Sequence, residues 1–189
     1  VDGDKLIGAL ACYLQSKKKL SKNAIVATVM SNKGLEDYLK KRGIKLYRCN
    51  VGDKYVLETM QKEGINLGGE QSGHIIFSDY AKTGDALVSA LQVSAMILEN
   101  DMKASEALDP FDLYPQILEN LKISKKIPLE KIEGYKELVK SLEKEGIRTL
   151  IRYSGTENLL RILLEGKDEK LLQKRAKEAV EFFRSKLNG

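Results

Sequence analysis

Over the first hundred residues, short β-branched runs alternate with stretches of helical periodicity, and few folds accommodate that alternation. Leu6, Ile7, Leu10, Tyr13 and Leu14 recur at helical spacing after Asp4, which is placed to cap them. Ile25-Val26-Ala27-Thr28-Val29 suits a buried strand. Ser31-Asn32 then caps a second helix, with Leu35, Tyr38 and Leu39 inward and Gly43 as its stop. Ile44–Cys49 reads as a strand and 54–63 as a helix ended by Gly64, with Ile65-Asn66-Leu67 extended again. Gly68 to Gly73 interrupts the pattern before the strand His74-Ile75-Ile76-Phe77. A long helix over 85–100 closes the block, expected to turn Leu87, Leu91, Ala95 and Leu98 inward. Strands alternating with helices specify an α/β/α layered domain with a largely parallel sheet.

All three prolines fall between 110 and 128, and Asp109-Pro110 and Tyr114-Pro115 turn the chain away from helix. Beyond them the pattern changes. A helix is expected over 129–144, using Ile132, Tyr135, Val139 and Leu142 for packing. Strands at 147–153 and 159–165 flank a polar turn, and Leu172, Ala176, Ala179, Phe183 and Leu187 form one stripe of a last helix. The expected organisation is an α/β domain over 1–108, a linker over 109–122 and a small α+β domain over 123–189.

Charge and cysteine narrow the function classes. The net charge of +5 invites a nucleic-acid reading, but the basic clusters Lys17-Lys18-Lys19 and Lys125-Lys126 are short and have no interleaved aromatics. A solvated surface is the reading preferred, with no nucleic acid and no membrane as partner. Cys12 and Cys49 lack a C-x-x-C partner or a histidine-rich companion, so they read as free thiols in a reducing cytoplasm. The chain opens at Val1 rather than Met, which suggests a processed start or a piece of something longer.

Three loops carry groups able to do chemistry. Val51-Gly52-Asp53-Lys54-Tyr55 lies at a strand-to-helix junction, where free N–H groups and Lys54 can face an anion. On spacing alone, a turn capped by Asp53 is the preferred reading. Gly69-Glu70-Gln71-Ser72-Gly73-His74 concentrates a carboxylate, a hydroxyl and the chain's one imidazole between glycines. Glu70, Ser72 and His74 together suit sugar hydroxyls, because they can accept and donate in several directions. A packed histidine entering a strand competes with that reading. Arg152-Tyr153-Ser154-Gly155-Thr156-Glu157-Asn158 offers a guanidinium, two hydroxyls and turn N–H groups, as a phosphate cradle would. A plain hairpin turn, with Ser154, Thr156 and Asn158 satisfying local backbone, stands beside it.

Seven segments in order resemble the C-terminal half of the α-D-phosphohexomutase superfamily, and within it the branch acting on phosphorylated glucosamine. They are Val1-Asp2-Gly3-Asp4, Met30–Glu36, Val51–Val56, Gly69–His74, Thr83-Gly84-Asp85, Tyr114-Pro115-Gln116 and Arg152–Glu157. The resemblance implies a third domain whose loop with Glu70, Ser72 and His74 faces the sugar, and Asp53, Lys54 and Asn158 as further cleft contacts. It implies a fourth domain whose Arg152, Ser154, Gly155 and Thr156 hold the phosphate that is not transferred. It implies conversion of glucosamine 6-phosphate to glucosamine 1-phosphate through a phosphoserine and a glucose- or glucosamine-bisphosphate intermediate. The phosphoserine and the magnesium ligands of that family belong to domains outside this chain. Asp2 and Asp4 are read as helix caps, no metal ligand and no catalytic residue are assigned here, and the chain alone is expected to be inactive. A phosphomannomutase/phosphoglucomutase of the same superfamily and a stand-alone sugar-phosphate binding module are the alternatives.

Overall fold

Asp2 opens the first helix of the computed structural model, which describes residues 1–188. Its carboxylate accepts from the Asp4 N–H at 2.8 Å, so the cap falls two residues earlier than the sequence suggested. The element order is α1 (Gly3–Ser16), β1 (Ala24–Thr28), α2 (Lys33–Lys40), β2 (Lys45–Cys49), α3 (Asp53–Glu63), β3 (Leu67–Gly69), β4 (Ile75–Phe77), α4 (Ala86–Glu99) and α5 (Ala104–Ala107). The sheet runs β2-β1-β3-β4, parallel except for β4, which pairs antiparallel with β3. Every residue of β1 is buried, as a strand covered on both faces requires. On one face Ile7, Leu10, Leu35, Leu39 and Met96 pack over Ile25, Ala27 and Ile75. On the other, Val56 and Met60 of α3 pack over Ala24, Val26 and Ile76. The result is the expected α/β/α sandwich.

Gly68 and Gly69, expected as a break, are strand residues of β3. A Cβ on Gly68 would sit 2.6 Å from the Met60 sulfur, and one on Gly69 would sit 2.5 Å from the His74 carbonyl oxygen. The glycines are there for close approach, which local propensity cannot reveal.

α4 corrects the sequence reading more sharply. Val88, Val93, Met96 and Ile97 face the core, while Leu87, Leu91 and Leu98 are 77%, 69% and 78% exposed. From Ala86 to Leu98 the helix carries no charge at all, so no polar face marks its outside and periodicity alone cannot orient it.

The chain divides into two units between Leu113 and Tyr114. The stretch expected as a linker, 109–122, is split by that division. Phe111 packs on Tyr38 with ring centroids 4.8 Å apart, whereas β5 (Gln116–Lys122) is a full strand of the second unit. There β5, β7 (Leu159–Glu165) and β6 (Arg148–Tyr153) form an antiparallel sheet in that order. β5 is held by partners in β7, from Gln116 opposite Glu165 to Lys122 opposite Leu159, which a local reading cannot see. The helix expected over 129–144 is a short 3-10 turn at Leu129–Lys131 followed by α6 (Tyr135–Lys144). Gly134, at φ 83°, separates them. α7 (Glu169–Leu187) buries Leu172, Ala176, Ala179, Phe183 and Leu187 as its spacing predicts, against Leu160, Ile162 and Leu164 of β7. Among the described residues, no helix is long and apolar enough to cross a membrane, and Cys12 and Cys49 are free thiols.

Candidate functional site

β1, β2 and β3 end at Thr28, Cys49 and Gly69, and the loops that follow them lie at one edge of the sheet. From β1 the chain moves to β2 on one side and later to β3 on the other, so a topological switch point lies between β1 and β3. In open α/β sheets, ligands bind outside the carboxyl ends of strands at such a point. The loops there are 29–32, 50–52 and 70–74.

Several buried contacts fix this edge. Arg48 donates to the carbonyl oxygens of Thr28 at 3.3 Å and Ser31 at 2.8 Å, and to the Glu36 carboxylate at 3.0 Å. Asn32 caps α2 by accepting from Gly34 N–H at 2.8 Å, and its own N–H donates to Asp4 Oδ2 at 2.6 Å. Asp4 is fully buried, and burial pushes its carboxyl up to about 6, against the pull of the Asn32 and Ser31 bonds. It is therefore a brace between α1 and α2, not the helix cap expected.

The Glu70 loop closes the β3–β4 hairpin. Glu70 N–H donates to the His74 carbonyl and Gly73 N–H to the Glu70 carbonyl, both at 2.9 Å. Gly3 N–H donates to the Gln71 carbonyl at 3.1 Å. A Cβ on Gly3 would stand 2.5 Å from the Gln71 carbonyl oxygen and 2.7 Å from Gly73 N, so α1 supports this loop only by lacking a side chain there. Glu70 Oε1 accepts from Gly52 N–H at 3.0 Å, which joins two of the loops the sequence singled out. Ser72 and His74 are exposed, with His74 beside Gly84. Gly52, not Asp53, occupies the cap position of α3; Asp53 is the first helical residue and Lys54 points to solvent. A half-buried carboxylate with one oxygen anchored, beside a free hydroxyl and an imidazole, is a small hydrogen-bonding set open to a polyhydroxylated ligand.

The second loop lies in the second unit. Ser154 is buried and its N–H donates to the Leu159 carbonyl at 2.8 Å, closing the β6–β7 hairpin. Its hydroxyl accepts from Glu157 N–H at 3.3 Å and keeps its own proton to donate. Gly155, Thr156, Glu157 and Asn158 are exposed, and the Asn158 carbonyl accepts from Ile123 N–H at 3.0 Å. Arg152 is exposed at the end of β6.

Two cations here were not among the candidates. Arg161 is the direct register partner of Arg152, so the two guanidinium-bearing side chains share one sheet face. Arg161 Nε is buried without a hydrogen-bond partner, and its nearest carboxylate is that of Glu157, 3.8 Å away. Lys126 Nζ donates to the Ser154 carbonyl at 3.1 Å. Folding the expected strands back across the 154–158 turn would pair 152 with 160; the observed register pairs Tyr153 with Leu160 and so brings Arg152 opposite Arg161. Lys126 has no local signal, because its approach depends on where the chain after β5 is laid down.

Among the described residues, no three His, Cys, Asp or Glu side chains converge as a metal-holding group. Asp2 accepts from Asp4 N–H as a helix cap, and Asp4 is buried against Asn32 N–H.

Two modules are thus present: a layered domain with hydrogen-bonding loops at a switch point, and a sheet-and-helix module with a cationic turn. Residues 2–114 match the family description phosphoglucomutase/phosphomannomutase, alpha/beta/alpha domain III, and residues 116–182 match the C-terminal domain of the same family. The chain belongs to the phosphoglucomutase/phosphomannomutase family. It is 62% identical over 189 residues to the phosphoglucosamine mutase of Campylobacter curvus, and 61% identical over 187 residues to that of Helicobacter acinonychis. Those alignments span 100% and 99% of this chain but 42% of each relative. The chain therefore corresponds to less than half the length of the curated relatives it matches. Its fold is shared with the N-acetylphosphoglucosamine mutase of Aspergillus fumigatus, at TM-score 0.79 and 21% identity over 97% of this chain and 43% of that one.

Proposed function

We propose that this chain is the substrate-binding half of a phosphoglucosamine mutase, reading a phosphorylated glucosamine with two separate loops. Glu70, Ser72 and His74 take the sugar hydroxyls, with Asp53 and Lys54 at the margin. Arg152, Ser154, Gly155 and Thr156, with Arg161 and Lys126 added, take the phosphate that is not being transferred; Asn158 shapes the turn.

In the complete enzyme a phosphoserine donates its phosphoryl group to the free hydroxyl of glucosamine 6-phosphate. The resulting bisphosphate turns over, and the serine recovers the phosphate from the other end. Magnesium belongs to that chemistry and to residues outside these 189. What this chain contributes is recognition that works for either orientation of the sugar. An anion cradle built of guanidinium, ammonium and backbone N–H groups reads a phosphate without regard to which carbon carries it. A carboxylate with several acceptor positions reads hydroxyls in two flipped arrangements. Free thiols fit a reducing cytoplasm.

The observation that carries the reading is the Arg152–Arg161 opposition beside an open turn. Like charges facing across a ladder are unfavourable unless an anion lies between them. Titration of the chain with glucosamine 6-phosphate, glucosamine and inorganic phosphate, followed by amide and arginine side-chain NMR, is the test. Shifts at 152–161 with both phosphates, and at 70–74 only with the amino sugars, are expected. No shift at 152–161 with any phosphate would refute it, as would a chain that alone interconverts the two glucosamine phosphates.

A further inference from the structure

The outward face of α4 is unlike any other helix surface of this chain. Leu87, Ala90, Leu91, Ser94 and Leu98 are all exposed, and their spacing at i, i+3, i+4, i+7 and i+11 puts them on one stripe. Thirteen consecutive residues, Ala86–Leu98, carry no charge, in a chain where 31% of residues do. α7 shows what an ordinary solvated face looks like here: Lys170, Lys174, Lys177, Glu178, Glu181 and Arg184 are among its exposed positions. A contiguous leucine stripe in water marks an interaction site rather than a finished surface.

The fold also says what lies nearby. α1 and α4 run side by side in the same direction. Lys17 at the end of α1 pairs with Glu99 at the end of α4. At their other ends, Gly3 supports the Glu70 loop and Gly84, just before α4, lies against His74. Residue 1, through which any preceding segment must join, is therefore at the same end of the layer as Leu87. Beside it Val1, Lys5, Ala104, Leu108 and Leu113 line a largely apolar hollow of about 460 Å³. The relatives are more than twice this chain's length, and the matched domains are the third and the C-terminal of the family.

We propose that the α4 stripe is the docking face for the domain that precedes residue 1 in the complete protein, and that this domain presents an uncharged, apolar surface to it. The proposal rests on the reading of the chain as part of a longer phosphohexomutase. A second copy of this chain is the competing occupant. The stripe is uncharged from end to end and its one polar side chain, Ser94, donates to the Ala90 carbonyl of its own helix, so it selects for an apolar counterpart and offers few polar contacts to fix a weak encounter. Covalent attachment at residue 1 supplies a high effective concentration that a second copy lacks.

The test compares thiol labelling of Leu91→Cys in two settings. One is the 189-residue chain. The other is a full-length chimera in which these residues replace the matching part of the Campylobacter curvus relative. Peptide mass spectrometry separates position 91 from Cys12 and Cys49, and circular dichroism confirms that the variant folds. Labelling is expected to be fast in the chain at all dilutions and at least ~10-fold slower in the chimera. Equal rates in the two settings would overturn the proposal. So would labelling of the chain alone that slows as its concentration rises, which would assign the face to self-association. Mutase activity of the Leu91 chimera is read in parallel. An active chimera with an unprotected residue 91 refutes the docking face and leaves the functional reading intact; a protected residue 91 without activity does the reverse.

Discussion

Replacing Arg161 with Met should make the unliganded chain more stable while weakening its hold on phosphate. Arg161 and Arg152 are opposite one another on β7 and β6, and directly paired residues have Cβ atoms about 5 Å apart. The guanidinium groups stand at the ends of flexible stems that can splay, and two unit charges about 5–8 Å apart repel by roughly 0.5–1 kcal/mol with water-like screening and about 2–3 kcal/mol at an effective dielectric of ~20. Arg152 is exposed and the Arg161 side chain is 36% exposed, so the smaller figure applies. Met retains most of the apolar stem of Arg, which limits the packing loss. The loose Glu157 contact at 3.8 Å contributes little at that exposure. A net gain of about 0.5–1 kcal/mol in the second unit follows, a rise of a few degrees in Tm for a module of this size. Phosphate binding should move the other way. A charge-assisted hydrogen bond is worth ~1.5–3 kcal/mol, so the dissociation constant of glucosamine 6-phosphate should rise roughly 10- to 150-fold. Differential scanning calorimetry without ligand and isothermal titration with it give the two numbers on one preparation. A variant that loses stability and affinity together would refute the reasoning, because Arg161 would then be a structural residue whose charge is already satisfied.

Gly155 has open space where a Cβ would be built, so Gly155→Ala should change folding stability by less than ~0.5 kcal/mol yet weaken phosphate binding, measured by the same titration. Glu165 is fully buried between Arg148, 2.7 Å from Oε2, and Gln116, 2.7 Å from Oε1. Arg148→Met should therefore cost about 3–5 kcal/mol by urea unfolding, and adding Glu165→Leu should restore most of it. A double variant no better than the single would count against a desolvated charge as the cause. Asp4, raised to about 6 in the fold from an ordinary 3.8, stabilises the folded state fully below pH 3.8 and loses that contribution as pH rises through 6. Asp4→Asn should remove this slope and be at least as stable as the wild type at pH 7.5. Denaturation at pH 5, 6 and 7.5 checks it, and a wild type whose stability relative to the variant does not fall across that range would contradict it.

Where a segment's fold depends on its own periodicity and punctuation, the sequence was enough. α2 and α7 bury the stripes their spacing predicts, because apolar and charged positions alternate clearly along them. The three polar loops were legible for a related reason: glycines and hydrogen-bonding groups crowded between regular elements have few structural uses. What failed were features set by distant partners. β5 pairs with β7, a strand that follows it only after α6 and β6, and no local signal separates it from a linker. α4 carries no charge from Ala86 to Leu98, so its orientation was decided by what β4 and α1 left uncovered.

The chemistry of the candidate site divides along the same line. Sequence alone determined that an α/β/α layer precedes a small α+β module, and which loops carry carboxylate, hydroxyl, imidazole and guanidinium groups. Only the tertiary structure decided that Glu70 is anchored to Gly52, that Asp4 braces two helices instead of capping one, and that Arg161 stands against Arg152. Propensity and periodicity are properties of neighbouring residues. The charge repulsion, burial and anchoring that make a binding site are properties of residues brought together from far apart, and only the folded chain sets those distances.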